Sequence, residues 1–202
     1  MNEVIVATQN AGKAKEFARL FEPLGITVKT LLDYPELPDV EETGETFAEN
    51  ALLKADSAAR LTGKPAIADD SGLVIDALNG RPGVYSARYA GIEKNDRANN
   101  EKVLAELHDV PADERGARFA CVLAVAFPDD REPLFANGYC EGTIAFEETG
   151  ENGFGYDPLF IPEGYAVTMA QISPEEKNTI SHRAKALHNL QALLPEWAGD
   201  GK

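Results

Sequence analysis

From Ala117 to Phe127 the sequence is largely apolar and carries Phe119, Val122, Leu123, Val125 and Phe127. Those are too many core-type side chains for a loop, so the run reads as a long strand. Phe135 to Phe146 answers it as a second long strand. The turn residues Pro128-Asp129-Asp130-Arg131 between them predict a β-hairpin.

The first half has another texture, in which short apolar runs alternate with helical patterns. Val4-Ile5-Val6-Ala7 reads as a short buried strand and Thr8-Gln9-Asn10 as the turn after it. Lys13 to Phe21 reads as a helix, with Phe17, Leu20 and Phe21 at helical spacing and Gly25 past its end. Ile26-Thr27-Val28 is a second strand, and residues 33–45 are an acidic, Pro-bearing loop. Thr46 to Leu61 is an Ala-rich helix closed by Gly63 and Pro65. Ala66-Ile67-Ala68 is a third short strand that ends in Asp69-Asp70-Ser71-Gly72. Leu73 to Asp76 continues the chain, Gly80 to Gly83 is a turn, and Asn95 to Leu107 is a helix. Further on, Gly150 to Asp157 is a Gly-rich loop, and Pro174 to Leu194 is helical in two pieces that meet near Thr179. The pattern is that of an α/β chain with a mixed sheet. No linker composition interrupts it, so residues 1–202 read as one domain.

Charge excludes several roles. With 19 basic and 34 acidic residues the net charge is −15, against the basic surface that general nucleic-acid binding requires. It also argues against a polybasic membrane anchor. The apolar run at the N-terminus is only Val4 to Ala7, too short for a signal-peptide core, and no stretch is long enough for a membrane span. A cytoplasmic protein is expected. Cys121 and Cys140 are the two cysteines and form no CxxC, so they read as reduced thiols on or near a sheet.

Four segments could carry chemistry. Thr8-Gln9-Asn10-Ala11-Gly12-Lys13 joins a strand to a helix, where free N–H groups and the helix dipole suit phosphate. It is not a Walker A loop, because Ala7 and Ala14 stand where that pattern needs Gly and Ser or Thr. Read alone, it is better described as a helix start capped by Asn10 with a solvated Lys13. The second segment set is acidic: Glu41-Glu42 in a loop and Asp69-Asp70 after a strand. Such carboxylates suit Mg²⁺ or the orientation of a water, and only one of Asp69 and Asp70 can face a given side. On the helix 46–61, Asn50 and Lys54 are i, i+4 neighbours beside a stripe of Phe47, Ala51, Ala55 and Ala58. Lys54 is placed either to reach a phosphate or to lie in solvent. Last, Gly153-Phe154-Gly155-Tyr156-Asp157 sets an aromatic ring between glycines, either for a flat ligand or for the core. Lys177, His182 and Arg183 follow as donors that suit a purine O6, with Ser181 as a helix cap in the plainer reading. Together these supply phosphate donors, carboxylates for a metal and keto-reading donors, which is nucleoside triphosphate chemistry.

Five ordered segments carry a resemblance over nearly the whole chain: ATQNAGKAKE at 7–16, EETGETFAENALLKA at 41–55, IADDSGLVIDALNGRPGVYSARYAG at 67–91, GFGYDPLF at 153–160 and SHRAKAL at 181–187. The chain resembles the inosine triphosphate pyrophosphatases, the XTP/dITP diphosphatases that clear non-standard purine nucleotides. The resemblance implies an elongated mixed sheet flanked by helices, two lobes with a central cleft, and a homodimer. It implies hydrolysis of dITP, ITP or XTP between the α- and β-phosphorus to a monophosphate and pyrophosphate. Carried across, Thr8, Gln9, Asn10, Ala11, Gly12, Lys13 and Lys54 hold the triphosphate, and Ser71 contacts substrate. Glu41 and Asp70 bind Mg²⁺, Asp70 accepts the proton of water, and Asp69 and Asn50 support it. Phe154 stacks on the base, Gly155, Tyr156 and Asp157 complete that wall, and Lys177, His182 and Arg183 read the base edge. Two rivals are a pyrophosphatase acting on modified pyrimidine nucleotides and a nucleotide sensor without catalysis.

Overall fold

A computed structural model describes residues 3–35, 37–38, 40–91, 95–129 and 131–197. Glu36 and Asp39 of the acidic loop and Asp130 of the expected hairpin turn lie outside the described residues. Six strands form one sheet in the order β2-β1-β3-β4-β5-β6. They are β1 (Glu3–Val6), β2 (Thr27–Thr30), β3 (Ala66–Ile75), β4 (Gly116–Ala126), β5 (Leu134–Ile144) and β6 (Phe160–Pro162). Among the described residues the α-helices are α1 (Ala11–Phe21), α2 (Phe47–Thr62), α3 (Asp96–Glu106), α4 (Pro174–Ile180) and α5 (His182–Trp197). The sheet is mixed: β1 runs parallel to β2 and to β3, and β5 runs antiparallel to β6. The expected hairpin is the neighbouring pair β4 and β5.

The chain packs as two units, one of Met1–Asp70, Val122–Asn137 and Ala186–Lys202, the other of Ser71–Cys121 and Gly138–Lys185. In the first, β1 lies between β2 and β3 with parallel register Ile5↔Ala66 and Val6↔Ile67. The chain leaves β1 toward one neighbour and returns to the other, so the end of β1 is a topological switch point, where open α/β sheets place their ligands. The core here is small-residue packing: Ala51, Ala55, Ala58 and Ala59 of α2 meet Ile5, Ala66 and Ala68, with Val122, Ala124 and Ala126 of β4. Helix α2 has strong local stops. Thr46 caps its N-terminus in a capping box with Glu49, and Gly63 closes it in the left-handed conformation.

The second unit gathers a larger-residue core around Leu73, Ile75, Leu107, Phe119, Leu159 and Phe160. A fully buried arginine holds its periphery. Arg115 donates to the carbonyls of Ile144 (2.9 Å), Leu107 (2.8 Å), Val110 (3.2 Å) and Ala145 (2.9 Å), and lies over the Phe146 ring.

One strand expectation is corrected. Strand β3 does not end at Ala68 but runs on through Asp69, Asp70, Ser71 and Gly72 to Ile75. Asp, Ser and Gly are poor strand formers, yet pairing within the sheet overrides that preference. The far half of β3 is held by Leu73 N–H on Ser86 Oγ (2.9 Å), by Ile75 N–H on the Arg81 carbonyl (3.2 Å) and by a bridge from Val74 to Pro82. The C-terminal helices meet near Thr179 as expected, at Ser181, whose N–H closes α4 on the Lys177 carbonyl while its hydroxyl caps Ala184 N–H of α5. Strand β6, a segment to which the sequence pattern assigns no element, pairs Ile144 with Phe160 and Gly142 with Pro162.

Candidate active site

Strand alternation sorts the acidic pair. Successive side chains on β3 face opposite sides of the sheet. Asp69 meets Lys13 of α1, with Nζ 2.9 Å from Oδ1 and 2.7 Å from Oδ2. Asp70 has the phase of Ala66 and Ala68, which pack on α2, and meets Lys54 of α2 at 3.2 Å. The two helices thus serve opposite faces of the same strand. The start of α1 is built as its sequence suggests: Asn10 Oδ1 accepts from Lys13 N–H (3.2 Å), and Thr8 Oγ1 accepts from Asn10 N–H (3.1 Å). Thr8 is buried and Gln9 exposed, while Ala11 and Gly12 form the first helical turn.

Around Asp70 the groups are tightly spaced. Lys54 bridges Asp70 and Glu42, 2.8 Å from Glu42 Oε1. The side chains of Lys54, Glu42 and Asp70 are 17%, 30% and 11% exposed. Burial raises the Asp70 pKa; Lys54 opposes this, the Glu42 charge adds to it, and the Asn50 amide opposes it. Burial would lower the Lys54 pKa, but Asp70 and Glu42 together outweigh it and the net shift is upward. Both partners are therefore raised, which marks burial rather than pairing as the larger influence on Asp70.

Asn50 is fully buried, and its Oδ1 accepts from Gly44 N–H at 2.7 Å. That bond ties the acidic loop to α2 and explains the glycine, since a Cβ on Gly44 would lie 2.7 Å from Asn50 Oδ1. The Asn50 amide faces Asp70 closely enough to favour its charged form, yet among the described residues neither Asn50 Nδ2 nor Asp70 Oδ2 completes a hydrogen bond. Glu41 is exposed and outside this cluster; the structure brings its neighbour Glu42 in instead. Nothing in the sequence separates the two, because the choice depends on how the loop lies against α2.

The second unit holds the other candidates. Phe154 is 61% exposed, with Lys177 Nζ 4.9 Å from its ring centroid. Asp157 is buried, accepts from Phe154 N–H at 2.9 Å and forms an ion pair with Lys177. Gly153 has φ +79°, and a Cβ there would fall 2.0 Å from Asp157 Oδ2, so the turn accepts only glycine. Tyr156 belongs to the core and donates its hydroxyl to the Ser86 carbonyl at 2.7 Å. Of the two aromatics in this loop, then, one is offered to solvent and one is packed. The His182 ring stacks on Phe119 at 4.9 Å, and Arg183 is buried. Ser71 is half-buried on β3 directly after Asp70. Asp96, Asn99 and Asn100 of α3 were missed by the sequence reading. The available signal was a pair of adjacent asparagines inside a helix, where their amides compete for backbone groups.

An α/β sheet with lysines and carboxylates at its switch point is the arrangement of a phosphate-handling protein. The chain belongs to the Ham1 family, whose family model matches residues 4–193. A relative from Bacillus cereus, named dITP/XTP pyrophosphatase, is 58% identical over 198 residues, covering 98% of this chain and 97% of that one. The solved structure of a HAM1 protein from Coxiella burnetii superposes with a TM-score of 0.91 at 46% identity, covering 97% of this chain and all of that one. The Staphylococcus aureus Ham1 protein gives 0.90 at 45% identity, again over 97% of this chain and all of that one. Among the described residues no helix is long and apolar enough to cross a membrane.

Proposed function

We propose that the chain is a Mg²⁺-dependent nucleoside triphosphate diphosphatase that hydrolyses dITP, ITP, XTP and dXTP to the monophosphate and pyrophosphate, cleansing the cytoplasmic nucleotide pool. Relatives at 58% identity named dITP/XTP pyrophosphatase support the substrate class. The observation that carries the chemistry is the buried Asp70–Lys54–Glu42 cluster, with Asp70 Oδ2 left without a hydrogen-bond donor among the described residues.

The same oxygen tests the fit of a metal. A buried carboxylate oxygen, lacking a donor and repelled by Glu42, suits a hard cation. Among the described residues no group of three or more His, Cys, Asp or Glu could hold a metal. Mg²⁺ takes one or two carboxylates and fills its other positions from phosphates and water. Asp70 is the proposed ligand that the cluster presents, while Glu41, the second ligand the resemblance implies, stands exposed on the adjoining loop outside the cluster. When bound, the ion neutralises phosphate charge and organises an in-line displacement.

The chain's own groups do the remainder. The 8–13 turn, Lys13 and Lys54 hold the triphosphate, with Ser71 beside it; Asp69 keeps Lys13 in place, and Asn50 steadies Asp70. Asp70 orients the attacking water and accepts its proton as the new bond to the α-phosphorus forms. The bond from that phosphorus to the bridging oxygen breaks, and pyrophosphate leaves. Phe154 offers its ring to the purine, against the wall of Gly155, Tyr156 and Asp157, while Lys177, His182 and Arg183 supply donors at the keto edge. Guanine also carries O6, so these donors do not by themselves exclude GTP.

The working unit is proposed to be a homodimer. The resemblance to the inosine triphosphate pyrophosphatases supports this. A pyrophosphate-release assay over standard and deaminated nucleotides, with and without Mg²⁺, tests the whole reading. Deaminated purines should be cut preferentially and only with the metal, and Asp70→Asn should abolish turnover with the thermal midpoint retained. Near-normal turnover in that variant would refute the role of Asp70.

A further inference from the structure

The loop that carries Phe154 is held at consecutive backbone positions by side chains from elsewhere. Gly155 N–H donates to Asp96 Oδ2 at 2.7 Å, and the Gly155 carbonyl accepts from Asn100 Nδ2 at 3.2 Å. Asp96 and Asn100 are i, i+4 on α3, so one face of one helix grips both polar groups of a single peptide position. Asn100 is buried to 2% and also donates to Glu148 at 3.1 Å. Its neighbour Asn99, buried equally, accepts from Ala90 N–H at 2.7 Å and so fixes α3 to the 86–90 segment. Tyr156 OH reaches that same segment at Ser86. On the other side, Asp157 takes Phe154 N–H and is itself paired with Lys177. A loop with glycines at 153 and 155, both at positive φ, has little stiffness of its own. A ring 61% exposed on such a loop would otherwise sample many directions.

We infer that Asp96 and Asn100 are positioning residues that fix the aim of the Phe154 ring, and so set affinity for the purine part of the substrate. Neither is among the residues proposed to hold the triphosphate. The inference rests on the reading of Phe154 as the base-stacking residue. A rigid aromatic face binds a flat ligand without first losing its own freedom, and loosening the loop restores that loss.

The test is a KM-against-kcat measurement with dITP on Asp96→Ala, Asn100→Ala and Phe154→Ala, alone and combined. Each brace variant should raise KM about fivefold, the scale of one lost hydrogen bond, with kcat within about twofold. Asp96→Asn, which keeps an acceptor oxygen, should restore most of the loss. In the Phe154→Ala background the brace variants should add nothing further. Amide exchange of residues 153–157 in the nucleotide-free protein should accelerate in Asn100→Ala. An unchanged exchange rate, or an equal rise in KM with and without the Phe154 ring, would overturn the positioning role. If Phe154→Ala alone left KM unchanged, the base-stacking reading would fail and take the inference with it.

Discussion

Replacing Lys54 by methionine isolates the electrostatics of the acidic cluster. The change keeps the length and helix preference of the side chain and removes only its charge. In the native protein Nζ lies 2.8 Å from Glu42 and 3.2 Å from Asp70. Removing one partner of a buried pair destabilises by about 3–5 kcal/mol, because the other charge is stranded. Glu42 is 30% exposed and can turn to water, so its share is about 1 kcal/mol or less. Asp70 is 11% exposed and carries the rest. Its share is capped: from the usual carboxyl value of 3.8, taking up a proton at pH 7 costs about 4 kcal/mol. The net expectation is about 2–4 kcal/mol. For a chain of this size that lowers the thermal midpoint by roughly 5–15 °C, measured by calorimetry without divalent ions. Adding Asp70→Asn removes the stranded charge, so the double variant should regain at least half of the loss. If the two losses simply added, the stranded-carboxylate argument would be wrong, and Lys54 would matter through packing alone.

Two further outcomes follow from the second unit. Arg115→Met strips four carbonyls of their charged donor and should destabilise by about 3 kcal/mol, with activity per folded molecule retained at low temperature. A midpoint shift within error would contradict the clamp. The Tyr89 hydroxyl is pushed up from 10.0 to about 12, first by burial and then by its bond to Glu106. The folded state therefore holds a proton that the unfolded state releases between those values, and stability should fall as pH rises from 10.0 toward 12. Glu106→Gln should make that tyrosinate appear earlier in an ultraviolet titration.

The parts of the fold legible in the sequence are those decided by neighbours along the chain. Helix α2 could be bounded from Thr46, Glu49 and Gly63, because a capping box and a left-handed cap act within one turn. The same holds for Asn10 and Asn95, each of which caps a helix through its own side chain. The hairpin showed in its length and apolarity. Strand β3 was cut short because Asp69 to Gly72 argue against a strand locally, while the partners that hold them there come from far along the chain. Strand β6 spans only Phe160–Pro162, too few residues for a period to show.

For the candidate site, the sequence by itself determined which residue types are available and, through five ordered motifs, the family to which they belong. Tertiary structure alone decided the pairings. Lys13 finds Asp69 across 56 positions and Lys54 finds Asp70 across 16, because successive side chains of β3 point to opposite faces and a different helix covers each. It also drew Glu42 rather than Glu41 onto Lys54, buried Tyr156 while leaving Phe154 outside, and set Asp96 and Asn100 against Gly155. Spacing along a chain fixes which residues share a helix face; which surfaces meet depends on burying the two cores, and that choice is made by the folded chain as a whole.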